Sequence, residues 1–160
     1  MHDRNFTRTF LVDQGPDTVI AAVGNVRGWW SEGIVGQAEQ VGDRFTHSVL
    51  GLHRCDIEVT EVVPGEKVVW TVRDNWFSFT QDTTEWTGTT IVFEATPRGP
   101  QTELRLTHVG LVPEYECYAV CQDGWTTYLE SLRQLIATGR GAPNVGEAKT
   151  ESEVRLSQTR

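Results

Sequence analysis

Cysteine is scarce in this 160-residue chain: there are three, Cys55, Cys117 and Cys121, alongside a single methionine and six prolines. An odd and small cysteine count argues against a secreted disulfide framework and fits thiols in a reducing compartment. Basic side chains are also outnumbered, 14 against 22 acidic ones, for a formal charge of -8. Charge of that sign offers a polyanion nothing to approach, so no nucleic acid or anionic membrane surface is expected as a partner. Long apolar runs are missing as well. Nothing nears the roughly 20 residues that cross a bilayer, and the opening MHDRNFTRTF has no apolar stretch of a secretory leader. A soluble, cytoplasmic protein with no membrane insertion is the expectation. There is no internal repeat, which sets solenoid architectures aside.

What is present suits one α+β domain. The chain is long enough to bury a single sizeable core without metal or disulfide staples. Residues 1–144 are expected to form that domain, and VGEAKTESEVRLSQTR (145–160) is expected to be a flexible or loosely docked polar tail. NFTRTFLV (5–12) alternates like a strand. DQGPDTVIAAV follows with Pro16 at a helix start and an apolar stripe at Val19, Ile20 and Val23. NVRGWWSEGIVG, with glycines on both sides of paired tryptophans, predicts a second short helical turn feeding a strand. DRFTHSVL, RCDIEVTEVV, KVVWTVRD, TGTTIVFEAT and TELRLTHVG then have a period near two and predict an antiparallel meander. NWFSFTQDTTEW (75–86) is either a further strand or a loop over a cavity mouth.

After GLVPEYE a long helix is expected, with Pro113 in its first turn and Gly139 as its left-handed cap. At 100° per residue, Cys117, Val120, Cys121, Gly124, Trp125, Tyr128, Leu132, Leu135 and Ile136 share one face that the sheet must cover. Glycine within that face costs about 1 kcal/mol relative to alanine, so Gly124 is expected where either a sheet side chain, such as Trp70 or Phe93, or a ligand comes close, the side chain being the favoured of the two.

Strand parity selects the inward residues, because a slip of one residue would reverse every assignment. The inward sets are Phe45, His47 and Val49; Cys55, Ile57 and Val59; Val68, Trp70 and Val72; Thr87, Thr89, Ile91, Phe93 and Ala95; and Leu104, Leu106 and His108. A ligand cavity has mostly apolar walls with a few polar groups that orient its occupant. Trp30, Phe45, Ile57, Trp70, Phe93, Leu106, Cys117, Cys121 and Trp125 are candidate apolar walls, and His47, His108 and Tyr128 the candidate polar contacts. Cys117 and Cys121, at i and i+4 of a helix, have Cβ atoms about 5–6 Å apart, too far for the roughly 3.5–4.5 Å of a disulfide. No C-x-x-C or H-x-x-x-H spacing indicates a metal, so no metal and no cofactor are expected.

Strand, short helical pair, antiparallel meander and one long C-terminal helix is the element order of the helix-grip fold, in which a curved sheet wraps the last helix. The chain resembles the SRPBCC, or Bet v 1-like and START-related, superfamily. NVRGWWS (25–31), TEWTGT (84–89), HVGLVPEYEC (108–117) and GWTTYLESLRQLIATGRGAPN (124–144) resemble the subfamily named after the Hsp90 ATPase activator homologue. That superfamily contains lipid carriers, hormone receptors, polyketide cyclases and co-chaperones, and fold alone does not choose among them. The resemblance therefore implies three alternatives: a binding module for a small lipophilic molecule, a chaperone-binding interaction protein, or a cyclase- or hydrolase-like enzyme working through His47 or His108. A monomer or homodimer is expected.

Overall fold

A computed structural model describes residues 5–49 and 52–144. The tail expected at 145–160, and Leu50 at the end of the first meander strand, lie outside the described residues. The elements run β1 (Phe6–Val12), α1 (Pro16–Gly24), α2 (Val26–Trp29), β2 (Val35–Gly36), β3 (Arg44–Val49), β4 (His53–Val63), β5 (Lys67–Phe77), β6 (Thr90–Arg98), β7 (Gln101–Val109) and α3 (Tyr118–Thr138). The strands form one sheet in the order β1-β7-β6-β5-β4-β3-β2, and every pairing is antiparallel. From β3 to β7 each strand pairs with the next, and β1 closes the far edge beside β7. Register shifts at Asp56/Ile57 and Val59/Glu61 interrupt the β4–β5 ladder, and such bulges bend and twist a strand pair. This is the helix-grip arrangement expected from the sequence. Among the described residues no helix is long and apolar enough to cross a membrane.

The inward parity holds along the meander. Phe45, His47, Cys55, Ile57, Val59, Trp70, Val72, Ile91, Phe93, Leu106 and His108 are all buried. Thr87 is the exception. It is exposed, because Thr87 and Thr89 donate backbone N–H to Thr84 and Trp86 in successive turns, so β6 begins only at Thr90. β5 runs to Phe77, three residues past the expected Asp74, and its bulge brings Asn75 and Phe77 inward after Val72. NWFSFTQDTTEW is thus a strand end followed by a loop.

α3 starts at Tyr118, later than Pro113, with Cys117 at the N-cap. Pro113 and Glu114 form a turn instead. A thiol is a poor cap, and no side chain of the N-cap residue bonds the first helical N–H groups. A carboxylate from elsewhere, Glu85, accepts the N–H groups of Glu116 and Cys117 at 3.0 and 3.1 Å. The helix ends as expected, with Gly139 at φ 85° donating to the Leu135 carbonyl at 2.9 Å.

The interior between sheet and helices is filled by indoles. Trp29, Trp30 and Trp70 lie nearly parallel, at interplanar angles of 19°, 13° and 7° and centroid distances of 5.9–6.3 Å for the pairs through Trp29 and 5.8 Å for Trp30–Trp70. Phe45 and Phe93 close the stack edge-on at 5.0 and 4.7 Å from Trp70. The single turn of α2 delivers two of these rings. It is fastened by Arg27, whose guanidinium donates to the carbonyls of Ile34 and Gly36. After α3 the chain doubles back: Ala142 N–H donates to Ser131 Oγ at 2.7 Å and Asn144 N–H to the Trp30 carbonyl at 2.8 Å.

Trp70 is fully buried at the centre of this stack. Trp70→Ala is expected to lower unfolding free energy by about 3–5 kcal/mol, read as an earlier urea midpoint. A loss below about 1 kcal/mol would mean that the stack is not what holds the interior.

Candidate functional site

The filled interior leaves a cavity of about 40 Å³ at one end. Its walls come from six places: Trp30 after α2, His47 on β3, His53 on β4, Phe77 at the end of β5, Trp86 in the loop 78–89, and Val120, Cys121, Gly124, Trp125 and Tyr128 on α3. Four aromatic faces and a small-residue floor make most of the lining apolar. Its polar groups gather on one side, where the His47 ring lies 5.2 Å from His53 and 6.4 Å from Tyr128, centroid to centroid. Trp30 covers His47 at 4.6 Å. The Tyr128 hydroxyl oxygen accepts a hydrogen bond from Asn144 Nδ2 at 3.1 Å, which fixes the tyrosine from behind.

Of the candidates from sequence, Trp30, His47, Cys121, Trp125 and Tyr128 line this cavity, and Phe45, Ile57, Trp70, Phe93 and Leu106 do not. The latter five belong to the packed core, because the tryptophans occupy the volume that a deep sheet-to-helix cavity would need. Cys117 and His108 stand behind the wall. His53, Phe77 and Trp86 were not anticipated. Extending the parity of Cys55 two residues back reaches His53, and the aromatic density of NWFSFTQDTTEW was the signal for the other two.

At Gly124 the structure removes one of the two expected close approaches, that of a sheet side chain. A Cβ built there meets nothing within 4 Å. No sheet side chain approaches, neither Trp70 nor Phe93, and the position opens into the cavity instead.

His108 is held by a closed chain of hydrogen bonds. Trp125 Nε1–H donates to His108 Nδ1 at 3.1 Å, so Nδ1 is the unprotonated nitrogen. Nε2 then carries the proton and donates to Thr89 Oγ1 at 2.8 Å, and Thr89 passes its own proton to the Trp86 carbonyl at 2.6 Å. Complete burial pushes the imidazole down from 6.5 to about 3, because desolvation penalises the cation. His108 is therefore neutral, a single tautomer, and a brace for Trp125 and Trp86. It is not poised to exchange protons near neutrality.

The thiols are no better placed for nucleophilic chemistry. All three cysteines are free and buried. Burial raises Cys55 to about 12. Cys121 is raised well above its ordinary value, first by burial and then by its hydrogen bond with Cys117. Thiolate is the reactive form, and burial suppresses it at Cys55 and Cys121. Among the described residues no group of three or more histidine, cysteine, aspartate or glutamate side chains is arranged to hold a metal ion.

Residues 25–137 match the family described as Activator of Hsp90 ATPase homolog 1-like protein. No curated protein sequence matches the chain. Among solved structures, the Aha1 dimer from Colwellia psychrerythraea is similar with a TM-score of 0.69 and 25% identity, over 86% of this chain and 98% of that one. Protein MLL2253 from Mesorhizobium loti follows at 0.67 and 23%, over 83% and 96%. CalU16 from Micromonospora echinospora aligns at 0.61 and 16%, over 97% and 82%. The last two are likenesses of fold alone.

The state of His108 gives a pH signature. Above 6.5 the imidazole is neutral in both folded and unfolded chains, so stability is unaffected by it. As pH falls below 6.5 the unfolded chain takes up a proton that the folded chain refuses until about 3, and stability drops by up to about 1.4 kcal/mol per pH unit. Between pH 7.5 and about 5 the wild type should lose about 2 kcal/mol more than His108→Gln, by urea unfolding. Parallel losses would place His108 in contact with solvent.

Proposed function

The chain belongs to the Activator of Hsp90 ATPase homolog 1-like family, and from that premise we propose that it binds a small apolar or amphipathic molecule in the cavity at Gly124. The observation that carries this reading is the empty space over that glycine. Gly124 lies three residues from Cys121 and four from Tyr128, on the face α3 turns to the cavity. Glycine there costs about 1 kcal/mol of helix stability. Packing does not require it, so the space itself is what the residue preserves. The apolar lining suits a flat or short aliphatic body, and His47, His53 and Tyr128 supply hydrogen-bonding groups at one side to orient a polar end.

The cyclase- or hydrolase-like alternative loses His108, which is neutral and enclosed, and keeps only His47 among the two histidines it invoked. A chaperone partner is the second reading, favoured by the family match and by the 25% identity to the Colwellia psychrerythraea Aha1 over 98% of that chain. It predicts that adding the protein changes the ATPase turnover of Hsp90 and that surface charge reversals, not cavity substitutions, abolish the change.

Gly124→Ala should raise unfolding free energy by about 0.4–1 kcal/mol, since the native backbone there accepts alanine without contact. Gly124→Leu should fill the cavity and abolish the fluorescence enhancement of 1-anilinonaphthalene-8-sulfonate, while native mass spectrometry on wild type retains an added lipophile. Wild-type protein that holds no lipophile from a broad panel, or Gly124→Leu binding as well as wild type, would sink the ligand reading.

A further inference from the structure

The cavity of about 40 Å³ is far below the size of an occupied small-molecule site, which is about 300–1,000 Å³, and corresponds to about one water. Binding on the scale proposed above therefore requires one wall to move. Five of the six are anchored: α3 by its packed face, β3, β4 and β5 by their ladders, and Trp30 by the bond from Asn144 to its carbonyl. The sixth is the loop 78–89, which meets α3 through carboxylate side chains.

We propose that this loop is a hinged cover on the cavity and that Glu85 is its latch, a regulation of access that rests on the ligand-binding reading for its purpose. The base of the loop is tied to the sheet. Phe77 N–H donates to the Thr83 carbonyl at 2.8 Å, Asn75 Nδ2 donates to the same carbonyl at 3.3 Å, and Thr87 Oγ1 donates to Asn75 Oδ1 at 2.8 Å. Gly88, at φ 89°, donates to the Val72 carbonyl at 2.9 Å and provides a joint that other residues rarely adopt. The seam with α3 is made differently, by two carboxylates crossing in opposite directions. Glu85 accepts the N–H groups of Glu116 and Cys117 on its two oxygens, and Glu116 Oε1 accepts Gln81 N–H at 2.8 Å. Trp86, next in sequence to Glu85, lays its ring parallel to Trp125 at 6.0 Å and 3°. The residue that fastens and the residue that covers are neighbours. Opening the seam thus swings Trp86 away while Asn75 keeps the loop attached.

Cys121 lies beneath the cover and reports on it without any ligand, while Cys55, buried in the sheet, serves as the control. Iodoacetamide labelling is followed on the full chain, with peptide fragmentation separating Cys121 from Cys117. Glu85→Ala should speed Cys121 alkylation roughly tenfold, the scale of losing charge-assisted hydrogen bonds to one carboxylate, and leave Cys55 unchanged. Glu85→Gln, which keeps an acceptor oxygen, should recover much of the protection. An unchanged Cys121 rate in Glu85→Ala overturns the latch, and so does an equal rise at Cys121 and Cys55, which would mean general loosening. A selective rise at Cys121 supports the latch even where no lipophile binds, so the two readings fail separately.

Discussion

The parallel stack of Trp29, Trp30 and Trp70 is the constraint on which the other features depend. Three large planar groups brought together in the concavity of the sheet leave no room for a deep channel along α3. The cavity on the α3 side lies beyond the stack, where Trp30 meets Trp125 at 5.4 Å. The position of the cavity follows from what the core has already occupied. So does its chemistry, since an aromatic interior ends in aromatic walls.

The two inward histidines were indistinguishable in sequence, each among alternating apolar neighbours near a strand end, and the structure separates them by their surroundings. His108 is enclosed by Trp125 and Thr89, which satisfy its two ring nitrogens, and by Trp86, whose carbonyl accepts the Thr89 hydroxyl, and burial then removes its basicity near neutrality. His47 faces the cavity beside His53 and Tyr128. The partners that decide the matter come from the 78–89 loop and from α3, both distant in sequence, and no alternation pattern encodes them. The outer face of the same sheet is simpler. Arg44, Arg54 and Arg73 meet Asp56, Glu58 and Asp74 there, exposed pairs of small energetic weight that make one side of β3, β4 and β5 polar and the inward side of those strands easy to read.

Legibility thus followed period. Strand order, parity, the α1 stripe and the Gly139 cap are local signals, and each of them corresponds to an element of the structure. Pro113 offers a plausible local start for α3, but the group that caps the helix is Glu85, some thirty residues upstream, and no local pattern points to it. At Gly124 the sequence shows that a side chain is missing but not whether a neighbour fills the gap, and the structure removes the sheet side chain from the two explanations the sequence leaves open. The split of the candidates into cavity wall and core could not be read either. Parity tells inside from outside, and does not tell how far along the inside the packing extends.

The doubling-back of residues 139–144 bears on how the cavity is connected to the rest of the chain. Asn144 joins Ser31 in a parallel bridge, bonds the Trp30 carbonyl through its N–H and reaches the Tyr128 hydroxyl through its amide. Trp30 and Tyr128 are two of the cavity's walls. Asn144 thus touches two cavity walls directly, and a mechanical load applied at residue 144 would be passed to Trp30 and Tyr128 with no strand of the sheet between them.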